Sequence, residues 1–297
     1  MIEVRGLRKE YGGFVAVEGS DFDVRGGEVF GVIGPNGAGK TTTLKALAGL
    51  VEPTSGRVSI DGQRVDSRET RHKLGFLPEE SPLYEEMSPR SYLRFFADLY
   101  DVSRSVADRR IEETLDRLEL AHRDRALGDM SKGMKRKVAI ARSLVNDPEV
   151  LIYDEPASGL DPLTTNYIIE FTKELAAEGR TIVFSAHNLY HVEEVCDRVA
   201  IMNEGQIITK GPLSELRETY GEMEYHVFTT VEVPGATEDG NRYRRTVDSM
   251  AAVEAIREMA LERGGHVDDI RTVEPSLEGL FLDVASAAKR DHGGTEG

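Results

Sequence analysis

Gly34-Pro-Asn-Gly-Ala-Gly-Lys-Thr-Thr42 fits the phosphate-binding pattern G-x-x-x-x-G-K-[ST]. The fixed positions of the pattern are Gly34, Gly39, Lys40 and Thr41. Residues 28–33 before it are apolar and β-branched, which is typical of a strand buried on both faces. Residues 41–50 after it carry apolar side chains at helical spacing. The order of strand, glycine-rich loop and helix is the context that this pattern requires.

The composition of this loop suits a polyphosphate. Several backbone N–H groups must point at such a ligand, and glycines let the chain wrap closely around it. The helix that begins near Lys40 adds the positive end of its dipole. In this pattern the lysine reaches the β- and γ-phosphates, and the hydroxyl of Thr41 ligates Mg²⁺.

Two carboxylates end a second apolar stretch, residues 150–153, and are followed by Pro156. Neighbours on a strand point to opposite faces, so Asp154 and Glu155 serve one site only if the chain leaves the strand at Glu155, which the proline favours. Asp154 then suits the outer shell of Mg²⁺, and Glu155 suits the polarisation of a water molecule.

Two further features point to ligand chemistry. The strand predicted at 181–185 delivers His187 at its C-terminal end, where α/β sheets bind ligands. The other histidines are predicted to be surface residues. Ser131 is predicted to cap a helix, with Gly133 beside it, which makes that helix end a second, weaker candidate anion site.

Length and charge limit the function classes. A chain of 297 residues is long for one core, and its net charge of −16 argues against general attraction to nucleic acid or anionic lipid. No apolar run approaches the ~18 residues of a membrane helix, and the N-terminus does not resemble a signal peptide. The single cysteine, Cys196, excludes an internal disulfide and is interpreted as a small buried hydrophobic residue.

The predicted organisation is an α/β domain at 1–220 and an accessory domain at 221–297. The first carries an antiparallel β edge near its N-terminus and a helical insertion at about 86–145. The second is predicted as a small α+β domain of order β-β-α-β-α. We predict strands at 224–233 and 243–247 around a turn at 234–241, a helix at 249–263, a strand at 267–273, a closing helix at 276–284 and a disordered tail from Lys289.

Together these ordered features resemble the nucleotide-binding subunit of ATP-binding-cassette (ABC) transporters over roughly residues 1–215. The resemblance implies a P-loop NTPase fold, with a RecA-like α/β core, and an ATPase that uses ATP and Mg²⁺. It implies that residues 34–42 are the Walker A loop, including Asn36, Gly37 and Thr42, and that Glu155 ends Walker B as the catalytic base or the residue that orients water.

The resemblance also assigns roles to residues outside the loop. Tyr11 would stack on adenine, although a packed edge residue is an equal alternative from the residues alone. His187 is similar to the switch histidine that contacts the γ-phosphate. Glu79 occupies the place of a glutamine that ligates Mg²⁺, and Lys132 and Met134 replace a glycine and a glutamine of the family's signature.

The family mechanism implied is a head-to-tail homodimer. In it Ser131 and Gly133 of one copy would cover the γ-phosphate bound by Lys40 of the other, so that ATP closes the dimer and hydrolysis opens it. The resemblance is strongest to exporter cassettes, which implies a separate transmembrane permease and a cytoplasmic, peripheral location on the inner face of the membrane. The alternatives are a soluble cassette that acts in translation or repair and a slow, ATP-gated binding module.

Overall fold

The computed structural model describes residues 1–186, 188–220 and 223–273. The chain divides into two compact units, Met1–Leu213 and Ser214–Gly297. The sequence predicted this division after residue 220, at the end of the helix Leu213–Tyr220, whereas the structure divides the chain at the start of that helix. The predicted closing helix at 276–284 and the tail from Lys289 lie outside the described residues, as does His187.

The described strands and helices agree in order with the predicted α/β organisation. The strands are β1 (Ile2–Tyr11), β2 (Phe14–Val24), β3 (Val29–Ile33), β4 (Ser55–Ile60), β5 (Gln63–Arg64), β6 (Leu74–Leu77), β7 (Val150–Asp154), β8 (Thr181–Ala186), β9 (Arg198–Asn203), β10 (Gln206–Pro212), β11 (Glu224–Thr229), β12 (Thr237–Asp239), β13 (Arg242–Val247) and β14 (Val267–Val273). The helices are α1 (Lys40–Leu47), α2 (Arg68–His72), α3 (Pro89–Leu99), α4 (Arg104–Arg117), α5 (Lys132–Leu144), α6 (Pro162–Ala177), α7 (Leu189–Val195), α8 (Leu213–Tyr220) and α9 (Met250–Glu262). Within the described part of the chain, no helix combines the length and the apolar character needed to cross a bilayer.

The central sheet of the first unit has the strand order β10-β9-β3-β8-β7-β6. Its strands are parallel except for β10, which pairs antiparallel with β9. Every residue of β3, β7 and β8 is buried, as expected of strands covered on both faces. Because β8 lies between β3 and β7, the segments that follow these three strands leave the sheet at one edge. This is the edge where α/β sheets bind ligands.

A second, antiparallel sheet of order β2-β1-β4-β5 forms the predicted β edge. The core beside it contains Leu44 and Leu47 of α1 with side chains from both sheets. The rings of Phe22 and Phe30 stack across this core, with their centroids 5.4 Å apart. Full burial of a leucine or phenylalanine side chain stabilises a fold by about 2 kcal/mol, so this core fixes α1 against the strand that precedes its loop.

The helical insertion contains α3, α4 and α5. Its predicted start is confirmed: Ser88 caps α3, Pro89 is the first helical residue, and the Ser88 hydroxyl accepts from the backbone N–H of Ser91. Glu112 of α4 accepts hydrogen bonds from Arg90 of α3 at 2.6 Å and from Arg123 at 2.8 Å. These bonds, led by the one from Arg90, lower the pKa of Glu112 to about 2. Glu112 therefore connects α4 to α3 through Arg90 and to the segment after α4 through Arg123.

Replacing Glu112 by glutamine is expected to destabilise the protein at neutral pH and to have little effect in acid. A carboxylate whose pKa falls on folding stabilises the fold above its unfolded pKa, near 4.3, and this contribution is lost as the pH falls toward about 2. Since the side chain is 39% exposed, screening limits the effect at pH 7 to about 1 kcal/mol. Urea unfolding at a series of pH values from about 7 to 3 measures it, and Glu113→Gln, next along the helix, is the control. An equal loss of stability at every pH would contradict this prediction.

Cys196 follows α7 and is buried, which confirms its interpretation as a small hydrophobic residue. Its sulfur packs so closely on β3 that a Cβ at Gly31 would lie 2.9 Å from Sγ. Burial raises the pKa of this thiol, so it has little thiolate character at neutral pH.

In the second unit, the described strands form one antiparallel sheet of order β12-β13-β11-β14. Val253, Ile256 and Ala260 of α9 pack with Val227 and Val233 in its core. The predicted turn at 234–241 is wrong in part, because β12 lies inside it and pairs with β13. Two glycines with positive φ, Gly235 and Gly240, make tight turns on either side of that short strand.

Candidate functional site

The glycine-rich loop follows β3 and ends where α1 begins. Gly39, at the N-cap of α1, has φ 98°, and a Cβ there would lie 2.5 Å from the carbonyl oxygen of Ala16. Only glycine fits this position. No side chain of the described residues caps α1, so its first-turn N–H groups face the loop as donors for an anion.

Lys40 is buried, and its ammonium is held inside the loop. Nζ donates to the carbonyl oxygens of Gly34 at 2.8 Å and Pro35 at 3.2 Å. Nζ also lies 3.9 Å from Oε1 of Glu155. The residue that the sequence assigns to phosphate binding and the residue that it assigns to water activation therefore meet, although they belong to different segments.

The end of β7 is shaped by the backbone of Glu155 itself. The chain leaves the strand there, as predicted, because Glu155 adopts the left-handed φ of 48°. Such a conformation costs a non-glycine residue about 1–2 kcal/mol. Ser185 at the end of β8 offsets this cost: its hydroxyl accepts from the Glu155 N–H at 3.0 Å and donates to Oδ1 of Asp154 at 2.6 Å. One serine thus orients both carboxylate residues.

A cavity of about 510 Å³ opens beside the loop, within the usual size of small-molecule sites. The residues that line it are Phe14, Ala16, Pro35, Asn36, Gly37, Ala38, Gly39, Lys40, Thr41, Thr42, Glu79, Glu155 and Ser158. The structure therefore brings Glu79 and Glu155 to the predicted loop. It also places an aromatic ring at the cavity that sequence analysis did not select, that of Phe14, which is 66% exposed.

Other predicted residues do not line this cavity. Tyr11 is 46% exposed at the end of β1, with the ammonium of Lys9 4.9 Å from its ring centroid. Asp154 is buried and is not among the residues that line the cavity. Ser131 caps α5 as predicted, accepting from the Met134 N–H at 3.2 Å, and neither it nor Gly133 is among the described residues at the cavity.

Two of the three residues that depart from the family pattern, Glu79 and Lys132, meet at one turn, residues 158–159. The hydroxyl of Ser158 donates to Oε1 of Glu79 at 3.4 Å. The ammonium of Lys132 lies against Gly159, where an added Cβ would overlap it. Glu79 and Lys132 also line one further cavity of about 440 Å³. The carboxylate of Glu79 and the ammonium of Lys132 therefore lie around the same turn.

The oxygen donors around the loop decide whether they would suit a metal ion bound together with a nucleotide. Among the described residues, no group of three or more His, Cys, Asp or Glu side chains could hold a metal ion. Mg²⁺ that binds with a nucleotide takes one or two carboxylates together with phosphate and water oxygens. Asp154, Glu79 and the hydroxyl of Thr41 fit that requirement, because they are oxygen donors on segments around the loop.

Sequence analysis missed one histidine. His191 of α7 is half-buried and lines a cavity of about 180 Å³ together with Glu155 and Asn188. Its partial exposure is compatible with the predicted surface position, and its place at a cavity beside Glu155 was not foreseen.

Comparison with known proteins places this site in a family. Residues 17–158 match the sequence profile of the family described as ABC transporter. The Nod factor export ATP-binding protein I of Burkholderia orbicola is 38% identical over 221 residues, which are 73% of this chain and 73% of that protein. The chain belongs to the ABC transporter ATP-binding family. It is an ABC-type ATPase, which confirms the family and the enzyme class predicted from the sequence.

Two further relatives are similar in sequence to this ABC ATPase. The linearmycin resistance ATP-binding protein LnrL of Bacillus subtilis is 32% identical over 317 residues and covers 98% of this chain and 100% of its own. The ABC transporter ATP-binding protein all4389 of Nostoc sp. is 41% identical over 216 residues, or 72% of this chain. The chain spans 64% of the length of that Nostoc protein.

Solved structures of ABC cassettes have the same fold. An ATP-binding subunit of an ABC transporter superposes with a TM-score of 0.68 and 37% identity, over 74% of this chain and 93% of the other. The dimeric bacterial cassette MJ0796 gives a TM-score of 0.67 and 26% identity, over 72% of this chain and 99% of the other. The predicted P-loop NTPase fold class is therefore confirmed.

Proposed function

We propose that this ABC ATPase is the energy-coupling subunit of an exporter, which works as a head-to-tail homodimer on a separate transmembrane permease. The observation that carries the proposal is the approach of the Lys40 ammonium to the Glu155 carboxylate, 3.9 Å apart at the phosphate loop. A buried cation for phosphate and a carboxylate for water then share one site. The subunit would be cytoplasmic and peripheral on the inner face of the membrane.

In this proposal phosphate binding, metal binding and water activation belong to different residues of the site. Bound Mg²⁺-ATP supplies the phosphoryl group and the charge of the metal. Lys40 and the loop amides bind the phosphates, and Thr41, Glu79 and Asp154 present oxygens to the metal. Glu155 orients the attacking water and accepts its proton, while Ser185 keeps the backbone of Glu155 in place. We assign His187 to the γ-phosphate on resemblance alone.

The homodimer completes what one chain lacks. Ser131 and Gly133 lie at the N-terminus of α5, and in one copy they are not among the described residues that line the cavity. A helix N-terminus is a ready anion site, so a second copy would supply it across the interface. The dimeric state of the related cassette supports this arrangement. Tyr11 is exposed at the end of β1, and its stacking on adenine is proposed on resemblance alone.

Export is supported by what related proteins do. One relative is named for Nod factor export and another for linearmycin resistance. The described residues offer no membrane-crossing helix, so in this proposal the translocation path belongs to the permease. The departures at Glu79 and Lys132 permit the alternative of a slow, ATP-gated binding module, and the experiment below separates the two functions.

Co-purification tests the transporter assignment. Tagged Glu155→Gln protein is extracted gently from native membranes with Mg²⁺-ATP, and the proteins that accompany it are identified. We expect a multi-spanning membrane protein in an amount comparable to the subunit, and we expect its loss when Lys40→Met is added to the same chain. A preparation that is repeatedly empty, or that carries ribosomes, would contradict the exporter assignment.

A further inference from the structure

The guanidinium of Arg136 lies at the meeting point of three segments of the site. Arg136 belongs to α5, one turn and a half after the Ser131 cap, and only 8% of its surface is exposed. Its hydrogen bonds all go to backbone carbonyl oxygens. They are Nε to Pro156 at 2.6 Å, Nη1 to Pro78 at 2.7 Å and to Glu79 at 2.9 Å, and Nη2 to Glu155 at 2.9 Å and to Asp154 at 3.2 Å.

These carbonyls belong to two loops that carry the proposed chemistry. Pro78 and Glu79 follow β6, and residues 154–156 end β7. One edge of the guanidinium thus fixes the loop of Glu79, and the other fixes the peptides on both sides of Glu155. Because Glu155 is in a left-handed conformation with φ 48°, its backbone needs such support to persist.

The charge of Arg136 matters as well as its shape. Burial lowers the pKa of Arg136 to about 10, against the opposing influence of Asp154, so it remains a cation at neutral pH. A buried charge is costly to maintain, and here its hydrogen-bond acceptors are neutral carbonyls. Its positive charge offsets the carboxylates of Asp154 and Glu79 beside the proposed phosphate site. A packing role alone would be served at lower cost by an apolar side chain.

We propose that Arg136 is a positioning residue for ATP hydrolysis, which fixes the Glu155 backbone at a set position relative to the loop of Glu79. The proposal rests on the role of Glu155 given above. Lysine cannot replace it, because an ammonium lacks the planar fork that reaches both loops at once. Arg136 lies on the helix whose N-terminus carries Ser131, so the same helix joins the proposed dimer contact to the hydrolytic residues.

The test separates turnover from nucleotide binding. Arg136→Lys and Arg136→Gln are compared with wild type for ATP affinity, kcat, KM and melting temperature. We expect ATP affinity and KM to change by less than about threefold and kcat to fall on the order of 10- to 100-fold, because a misplacement of about 1 Å has this effect on catalysis. Arg136→Lys, which keeps the charge, should retain more activity than Arg136→Gln.

Arg198→Lys is the matched control. Arg198 is a similarly buried arginine of β9 that pairs with Glu28 at 3.0 Å and with Asp23 at 3.3 Å, outside the lining of the phosphate cavity. It is expected to lower the melting temperature without lowering kcat. A kcat of folded Arg136→Lys equal to that of wild type, or an equal fall in kcat for Arg198→Lys, would overturn the positioning role.

A parallel assay of Glu155→Gln distinguishes the two proposals. If Glu155→Gln stops hydrolysis while both Arg136 variants turn over normally, only the role of Arg136 fails. If Glu155→Gln hydrolyses ATP like wild type, the function proposed for the site fails first. Should Arg136→Gln not fold, Arg136→Lys carries the test alone, since its charge and most of its volume are kept.

Discussion

Replacing Lys40 by methionine is expected to weaken ATP binding by roughly 100-fold or more. The ammonium is buried in the loop and donates to the carbonyls of Gly34 and Pro35, where a bound polyphosphate would offer stronger, charged acceptors. Hydrogen bonds to charged groups contribute about 1.5–3 kcal/mol each, and about 1.4 kcal/mol corresponds to a factor of ten in affinity. Methionine keeps the aliphatic stem, so the loss reports on the charge.

Equilibrium binding of a fluorescent ATP analogue measures this effect. Lys45→Met is the control, because Lys45 lies on the same helix, in its last turn, away from the loop. It should bind ATP like wild type. If Lys40→Met retained the affinity of wild type, the assignment of residues 34–42 to phosphate binding would be wrong.

Glu155→Gln is expected to reduce kcat by about 10²- to 10⁴-fold, the usual contribution of a general base, while ATP still binds. The amide has the size of the carboxylate but cannot accept a proton from water. The hydrogen bonds that fix this residue come from its backbone, at 3.0 Å to the Ser185 hydroxyl and at 2.9 Å from Arg136. The local structure should therefore survive the substitution.

The readout combines phosphate release with size-exclusion chromatography in Mg²⁺-ATP. We expect the variant to accumulate as an ATP-closed dimer, since hydrolysis no longer opens it. Glu149→Gln, just before the opposite end of β7 and paired with Lys73 at 3.6 Å, should hydrolyse ATP normally. Unchanged hydrolysis by Glu155→Gln would remove Glu155 from the proposed role.

Some contacts of the site could not have been found in the sequence. Phe14 lines the phosphate cavity, whereas the ring selected for the base, Tyr11, does not. The two residues pair across the β1–β2 hairpin, and only the tertiary placement of that hairpin decides which of the two rings reaches the cavity. Ser185 was missed for a related reason, because it acquires its role from Asp154 and Glu155 on another segment.

The features that were predicted correctly depend on residues that are close together in the chain. The glycine-rich loop, the Ser131 cap and the Ser88-Pro89 helix start were predicted correctly, because each depends on backbone conformations and hydrogen bonds within a few residues. Alternation and apolar runs identified the strands for a similar reason. The short strand β12 escaped detection, since its pairing with β13 provides more of its stability than its own residues do.

Residues close together in the chain therefore established the phosphate loop, the helix ends and the carboxylate pair. The tertiary structure alone decided how these parts meet. The order β3-β8-β7 brings Lys40 to Glu155 and Ser185 to Asp154, and the fold of α5 places Arg136 between two loops. Such contacts join segments far apart in the chain, so they depend on the packing of the whole sheet rather than on any one stretch of residues.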